Sequence, residues 1–424
     1  MFRRNTLQSL IVVLILAIAT GQGLLALVCA LLLFTAGLAW LWNRWALARV
    51  AYERLLSQQR AFPGDEIELA IHITNRKPLP LARIDIHDFI PNGLEIIGHD
   101  LAIDHDKRQI LHRSTSLRWY EGLTWRYRVR CLARGAYRLG PALIEAGDPF
   151  GFYRSRIESP RQAALVVYPR LLPLEQLNLP LRHPLGELRA RQLIRDPLRT
   201  IGIRDYHPDD PLKDIHWNAT ARAGVLQTRI YEPTASFELA IFLDLDTFER
   251  YWEGIDPDQV ERMISATATL ARSGLEDGYA VGLYANGAPV EFEQLVRLPP
   301  GRSPVQLDRI METLARLTPY SITSMPRLLR LLASDLPWGA TLLLISVIAT
   351  EATRAALLRL CERGRNVAWL YLGEDAPPIV PGVLVRHAPP QGDWRGNGHE
   401  RWARPTHTRQ PAHEELQPAR EELR

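Results

Sequence analysis

The sequence predicts an α+β multidomain chain: an apolar amino terminus that crosses a membrane, an antiparallel β-sandwich, and an α/β domain built on a mainly parallel sheet. Three observations carry this reading. The run Leu7 to Trp42 holds no ionisable side chain. Between Ala61 and Arg156 apolar residues alternate with polar ones at the period of half-buried strands. From about Phe237 onward, uniformly apolar strands alternate with helical periodicity, the signature of a sheet covered on both faces. A chain of 424 residues also exceeds what one core usually fills.

As one helix the first run would extend about 54 Å at ~1.5 Å per residue, against about 30 Å of hydrocarbon, so residues 1–45 are expected to form a two-helix hairpin. Its turn falls at Gly21 and Gly23. Arg3 and Arg4 precede the run and Arg44, Arg49 and Arg54 follow it, which places both ends, the body and the tail in the cytoplasm. Two other arrangements fit the same residues. Ala17-Ile18-Ala19 resembles a signal-peptidase site, cleavage at which would leave Leu24 to Trp42 as a stop-transfer helix. A single tilted span would instead export the body.

The sandwich is expected over residues 58–160. Ile67, Leu69, Ile71 and Ile73 mark one strand, and Leu123, Trp125, Tyr127, Val129 and Cys131 another, with turns at Pro63-Gly64-Asp65, Pro91-Asn92-Gly93 and Arg134-Gly135. An immunoglobulin-like arrangement is the natural solution. Residues 161–235 read as a connecting segment that includes a short strand, Leu165 to Tyr168. The α/β domain occupies 236–390. It opens with strand Phe237 to Leu243, followed by a helix started by Asp256-Pro257 with Val260, Met263, Ile264, Thr267, Leu270 and Ala271 on one face and Gly274 as its stop. Ser303-Pro304-Val305-Gln306 reads as a capping box for a second helix. Another helix over Met325 to Ala333, strand Thr341 to Val347, helix Thr350 to Arg363 and strand Val367 to Leu372 follow. Residues 391–424, polar and interrupted by prolines, read as a disordered tail.

Several chemistries are missing from the sequence. No phosphate-binding GxxxxGK[ST] loop, GxGxxG, GxSxG or HExxH motif occurs. A net charge of +4 is too mild to argue for nucleic acid. Cys29, Cys131 and Cys361 are far apart and form no CxxC pair, so they read as small buried residues. No catalytic residue and no cofactor is assigned. Strand Phe237 to Leu243 ends in Asp244-Leu245-Asp246-Thr247-Phe248, where a von Willebrand factor A-like domain would carry aspartate-x-serine-x-serine for magnesium. Asp244 sits correctly, Asp246 replaces the first serine and Phe248 the second. Asp244, Asp246 and Thr247 are therefore weak candidates for a metal, weighed against carboxylates satisfied by backbone amides.

The densest polar stretch is IRDYHPDDPLKDIHWNATAR, residues 203–222. Asp210-Pro211 and Gly224 predict a helix from Pro211 to Ala223. His207, Asp209, Asp210, Asp214 and His216 are candidates for a metal cluster, and His216 with an aspartate for general acid/base work. The alternative is a structural clasp in which Arg204 and Arg222 pair with Asp205, Asp210 or Asp214 while Trp217 anchors the helix.

This stretch closely resembles the signature of the domain of unknown function 58 family: Arg204, Tyr206, Asp210, Ile215, His216, Trp217, Ala221, Arg222, Leu226 and Glu232 match it. Lys213 and Asn218 depart from it, standing where arginine and lysine are common. Ala133-Arg134-Gly135-Ala136-Tyr137-Arg138-Leu139-Gly140-Pro141 and Gly147-Asp148-Pro149-Phe150-Gly151 resemble the family's second hallmark. The resemblance implies a bacterial inner-membrane protein with an A-type domain that often keeps little of the metal pattern. It also implies a non-enzymatic adaptor for a MoxR-type AAA+ ATPase, acting on unknown client proteins. Arg204, Tyr206, Asp210, Asp214, His216, Trp217 and Arg222 would form its interaction or structural signature. A metal-dependent enzyme or ligand-binding module using the Asp244 or His216 region is the rival.

Overall fold

The computed structural model describes residues 4–103, 108–179, 193–208, 210–235, 238–290, 294–337, 339–390 and 419–422. These divide into two compact units, one holding the described residues up to Tyr168 together with Ala419–Glu422, the other those from Pro169 onward.

The first unit begins with helices α1 (Arg4–Ala19) and α2 (Gly23–Ala46). The chain reverses at Thr20 to Gln22, with Gly21 at φ +70, a conformation that glycine adopts without steric cost. Small residues, Ala17 on α1 and Cys29 and Ala36 on α2, are buried, while the surrounding leucines and valines stay exposed. That pattern suits helices packed through small side chains with an apolar exterior. Among the described residues, only α2, at 24 residues, is long and apolar enough to cross a membrane; the apolar part of α1, Gln8–Ala19, is shorter.

Twelve strands follow in chain order: β1 (Val50–Leu56), β2 (Arg60–Ala61), β3 (Glu66–Asn75), β4 (Leu81–Ile90), β5 (Leu94–Ile96), β6 (Ala102–Ile103), β7 (Gln109–Leu117), β8 (Glu121–Cys131), β9 (Gly135–Leu139), β10 (Ala142–Gly147), β11 (Arg154–Ser159) and β12 (Ala163–Val167). One sheet runs β1-β3-β8, with β5 also on β8; a second runs β11-β10-β4-β7-β6; β2-β12-β9 form a third, in which β12 and β2 are parallel. The alternating residues read from the sequence are the buried ones: Ile67, Leu69, Ile71 and Ile73 lie against Ile84, Ile86, Leu117 and Val129 in one continuous core.

A buried ion pair ties β1 to β4. Arg54 donates from Nη2 to Asp88 Oδ1 (2.6 Å) and from Nε to Oδ2 (2.8 Å), and Tyr52 donates its hydroxyl to Oδ2 (2.7 Å). Gly140, at φ +103, faces this guanidinium so closely that a Cβ would meet it at 2.7 Å. The hallmark residues around it are thus structural. Tyr137 donates its hydroxyl to the Ala133 carbonyl (2.8 Å), and Asp148 accepts from the amides of Phe150 (2.8 Å) and Tyr153 (2.5 Å) to hold the β10–β11 turn.

The second unit contains β13 (Leu193–Asp205), helix α3 (Trp217–Ala223), β14 (Gln227–Ala235), β15 (Glu238–Leu243), α4 (Pro257–Glu276), β16 (Ala280–Ala285), β17 (Gly287–Pro289), β18 (Val296–Gly301), α5 (Pro304–Arg316), β19 (Leu317–Ser321), α6 (Met325–Leu332), β20 (Thr341–Ser346), α7 (Glu351–Glu362), β21 (Asn366–Tyr371) and β22 (Leu384–His387). Its six-stranded sheet has the order β18-β16-β15-β20-β21-β22, parallel except for the antiparallel edge strand β18. Helices α6 and α7 cover the face carrying Phe242, Leu344 and Trp369. Helix α4 is buried almost all round, and its faces include the predicted one.

Two local expectations fail. Gly274 does not stop α4, which continues to Glu276; the chain turns at Gly278, φ +82. Ser303 caps α5 by accepting from Val305 N (3.3 Å), but the buried Gln306 side chain donates to the carbonyls of Val281 (2.9 Å) and Pro299 (3.0 Å) instead of closing a capping box. Of the polar tail, residues 391–418 and 423–424 lie outside the described residues. Ala419–Glu422 form a strand, β23, antiparallel to β8 at Glu121–Thr124, where the edge of β8 offers unsatisfied backbone groups.

Candidate functional site

The signature segment is a clasped hairpin with a turn at its end. Strands β13 and β14 pair antiparallel from Leu193↔Ala235 to Asp205↔Gln227 with two irregularities. The predicted helix from Pro211 does not form as one piece. A single 3-10 turn, Leu212–Asp214, comes first, then Ile215 leaves helical geometry to bridge Thr228, and α3 starts only at Trp217. Burial explains the break: Ile215 is 5% exposed, and pairing in the ladder is what places it inside. The cap is His216, whose Nδ1 accepts from Ala219 N (3.1 Å), and Gly224, φ +71, closes the far end.

Asp210 does not cap the helix. Its carboxylate accepts from Arg204 Nη2 (2.6 Å) and from His207 N (2.9 Å), and these bonds hold it below the usual carboxylate range. Asp205 accepts from Gln227 Nε2 (2.5 Å), Asp214 is buried with its carbonyl accepting from Thr228 Oγ1 (3.3 Å), and Tyr206 N donates to Leu226 O (2.9 Å). The Arg204 half of the expected clasp therefore exists. The Arg222 and Trp217 half does not: among the described residues Arg222 is exposed and makes no ion pair, and Trp217 is 66% exposed and not packed as a buried anchor. His207, Asp210, Asp214 and His216 do not converge, and among the described residues no three His, Cys, Asp or Glu side chains gather as a ligand set. Asp209 lies outside the described residues.

The second candidate lies at the carboxyl end of β15. Asp244 is fully enclosed; its Oδ1 accepts from Asn286 Nδ2 (2.7 Å) and from Asp246 N (3.2 Å). Burial, with the neighbouring Asp246 charge, pushes its carboxyl well above the usual range. Asp246 accepts from Ser321 Oγ (2.5 Å) and more weakly from Asn286 Nδ2 (3.3 Å). Asn286 Oδ1 in turn accepts from Leu245 N (2.8 Å). Thr247 is committed elsewhere, its Oγ1 accepting from Asp256 N (3.0 Å) beside the start of α4. A cleft of about 480 Å³ opens here, lined by Asp246, Thr247, Phe248, Tyr320 and Ser321 among others. Asp244 and Asp246 are brought together as the strand-end position suggested. Asn286 and Ser321 were not foreseen, although the polar break Asn286-Gly287 directly after the apolar strand Ala280–Ala285 is a readable signal.

The donor set is thin for a hard divalent cation. Such an ion wants six or more oxygens with several charges. Here Asp244 Oδ1 is already occupied by two N–H donors, and Thr247 is spent on a backbone amide. The oxygen-bearing side chains that line the cleft are those of Asp246, Thr247, Glu249, Tyr320, Ser321, Thr323 and Ser324.

Residues 202–370, from the middle of β13 through most of β21, match the family model described as protein of unknown function DUF58. This part of the chain is similar to DUF58. A curated relative, the uncharacterized protein YeaD of Bacillus subtilis (strain 168), is 25% identical over 238 residues, which is 55% of this chain and 55% of that protein. The match thus spans about half the length of the curated relative. Among solved structures, the CARDB domain of the PF1109 protein from Pyrococcus furiosus covers 28% of this chain and 91% of its own, at 11% identity and a TM-score of 0.19. A type II cohesin domain from the cellulosome of Acetivibrio cellulolyticus covers 27% and 94%, also at 11% and 0.19. The DUF58 region contains both candidate sites, the clasped turn and the strand-end cleft.

Proposed function

We propose that this protein is a membrane-anchored, non-enzymatic adaptor that works with a MoxR-type AAA+ ATPase in the assembly or activation of client proteins. The observation that carries the reading is the surface of the DUF58 signature. Arg204, Asp205, Asp210 and His216 are spent on holding its own turn, while Leu212, Trp217, Val225 and Leu226 are 70, 66, 55 and 44% exposed. A tryptophan and three aliphatic side chains presented by one short, internally bonded turn are what a partner buries, since tryptophan is prominent among residues that dominate interface energy. The ATPase enters through the family resemblance of the signature residues.

The anchor in this reading is the α1–α2 pair, in an inner membrane, with both ends and the body in the cytoplasm. Support comes from the length and hydropathy of α2 and the arginines that flank the apolar run. The first unit is taken as an immunoglobulin-like sandwich, on its two antiparallel sheets sharing one core. The second is taken as a von Willebrand factor A-like domain, on parallel β16-β15-β20-β21 with helices on both faces. The strand-end cleft supports a second reading, a ligand-binding module or a metal-dependent enzyme at Asp244 and Asp246. The enclosed Asp244, its Oδ1 already accepting from Asn286 Nδ2 and Asp246 N, weighs against the metal form.

The test is affinity capture of the detergent-solubilised full chain from its native cells, with and without ATP, for wild type and Trp217→Ala. The adaptor reading expects an AAA+ ATPase with the wild type and its loss from a variant whose thermal unfolding is unchanged. Absence of any AAA+ ATPase from the wild-type capture would overturn it.

A further inference from the structure

The end of the sandwich from which α2 emerges has a character of its own. Helix α2 does not simply precede the sandwich; its last turn is part of it. Ala46 is fully buried in the sandwich core, with Trp42 and Leu47 packed against it. The buried Lys77 ammonium donates to the carbonyls of Ala46 and Ala48 (2.9 Å for the latter), and Ser155 Oγ donates to Asn43 O (2.9 Å). The level at which the helix leaves the protein is therefore fixed between Trp40 and Ala46.

Strand register identifies what else lies at that end. Val50 at the start of β1 pairs with Asn75 at the end of β3, and Thr74 pairs with Gly122 at the start of β8. In the facing sheet Leu81, at the start of β4, pairs with Leu117 at the end of β7, and Arg83 pairs with Gly147 at the end of β10. Three turns thus crown the exit of α2: residues 76–80, 118–120 and 148–153. The first two touch, Tyr120 N donating to Lys77 O (3.3 Å), and Ser155, which holds Asn43, is one residue inside the β10–β11 ladder.

These turns are aromatic and basic. Trp119 is 64% exposed, Tyr120 49% and Phe150 49%, and Phe150 stacks on Phe152 at 6.0 Å. Arg76 and Arg118 are exposed on the first two turns and Arg154 at the first residue of β11, directly after the third, and Arg44 lies over the Trp40 ring at 5.7 Å. The acidic residues of the last two turns are turned inward: Asp148 and Glu121 are buried, Glu121 accepting from Arg118 N (2.6 Å). Exposed aromatic rings beside arginines, continuous with a helix of exposed apolar side chains, match the composition of a membrane interface. Arginines near an anionic leaflet are drawn to its phosphates.

We propose that this end of the sandwich is a lipid-docking face. Trp119, Tyr120 and Phe150 sit among phospholipid headgroups, and Arg76, Arg118 and Arg154 meet anionic phosphates. The proposal rests on α2 as a membrane span, and it adds that the sandwich lies on the bilayer rather than standing off it.

The test uses the full chain in vesicles of phosphatidylcholine and phosphatidylglycerol. A solvatochromic fluorescent amino acid is placed singly at four positions: 34 within α2, 119, 150, and 132, which follows the far end of β8 about 30 Å away along the strand. Nitroxide lipids labelled on the headgroup or the acyl chain serve as quenchers. The expected result is loss of emission at 34 with acyl nitroxides, a blue shift and loss of emission at 119 and 150 with headgroup nitroxides, and neither at 132. Quenching at 34 with 119 and 150 behaving like 132 would overturn the docking face and leave the span intact. No quenching at 34 would remove the span, and the docking face with it.

Discussion

Asp244 shows how far a residue type alone can mislead. An aspartate at the end of a parallel strand suggests a charged ligand, yet here enclosure raises its carboxyl well above the ordinary range, and its Oδ1 accepts from Asn286 Nδ2 and Asp246 N. A raised carboxyl stabilises the fold below its unfolded value and loses that contribution as pH climbs through the folded one. Asp244→Asn keeps the Oδ1 acceptor for Asn286, offers an N–H to Asp246, and removes the titration. Thermal unfolding of the variant should match or exceed wild type at pH 7 and vary less with pH. Asp244→Ala, which strips Asn286 of its best acceptor, should cost about 1–3 kcal/mol. A magnesium-dependent rise in wild-type unfolding temperature, lost in Asp244→Asn, would instead restore the metal reading. The sequence located Asp244 and Asp246 because they close an apolar strand. It did not display Ser321, which reaches Asp246 from 75 residues away through a strand pairing that no local pattern encodes.

At the scale of elements, the joint between α2 and the sandwich depends on Lys77. Burial pushes its ammonium down to about 8 from an ordinary 10.5. Above pH 8 the unfolded chain therefore holds more protons than the folded one, and stability rises with pH until the unfolded lysine also titrates. Cys131 acts in the opposite sense only above 9, since burial raises its thiol to about 11. Between pH 8 and 9 the wild type should gain up to about 1 kcal/mol, less to the extent that water reaches the ammonium. Lys77→Met should lack this gain, and an identical pH dependence in both proteins would show that Lys77 does not hold the helix end. Element periodicity was readable where one face is buried, as in β3 or α4. The helix expected from Pro211 was not, because the pull of Ile215 into a ladder with Thr228 is a tertiary demand that outweighs a local cap signal.

The whole molecule pairs an apolar helix pair rooted in one unit with an exposed signature turn in the other. The order of anchor, sandwich and α/β elements follows from hydropathy period, because each change of period marks a change of architecture. The signature's role was less legible: histidine, aspartate and tryptophan in one stretch fit a metal site, a base or a clasp, and only burial separates them. Trp217 is exposed and so is not the buried anchor expected from the sequence. The most direct measurement is site-specific photocrosslinking in native membranes with a benzophenone amino acid at position 217. The adaptor account predicts an ATP-sensitive adduct to an AAA+ ATPase subunit. Adducts formed only within this chain, or none in the presence of the co-expressed ATPase, would contradict it.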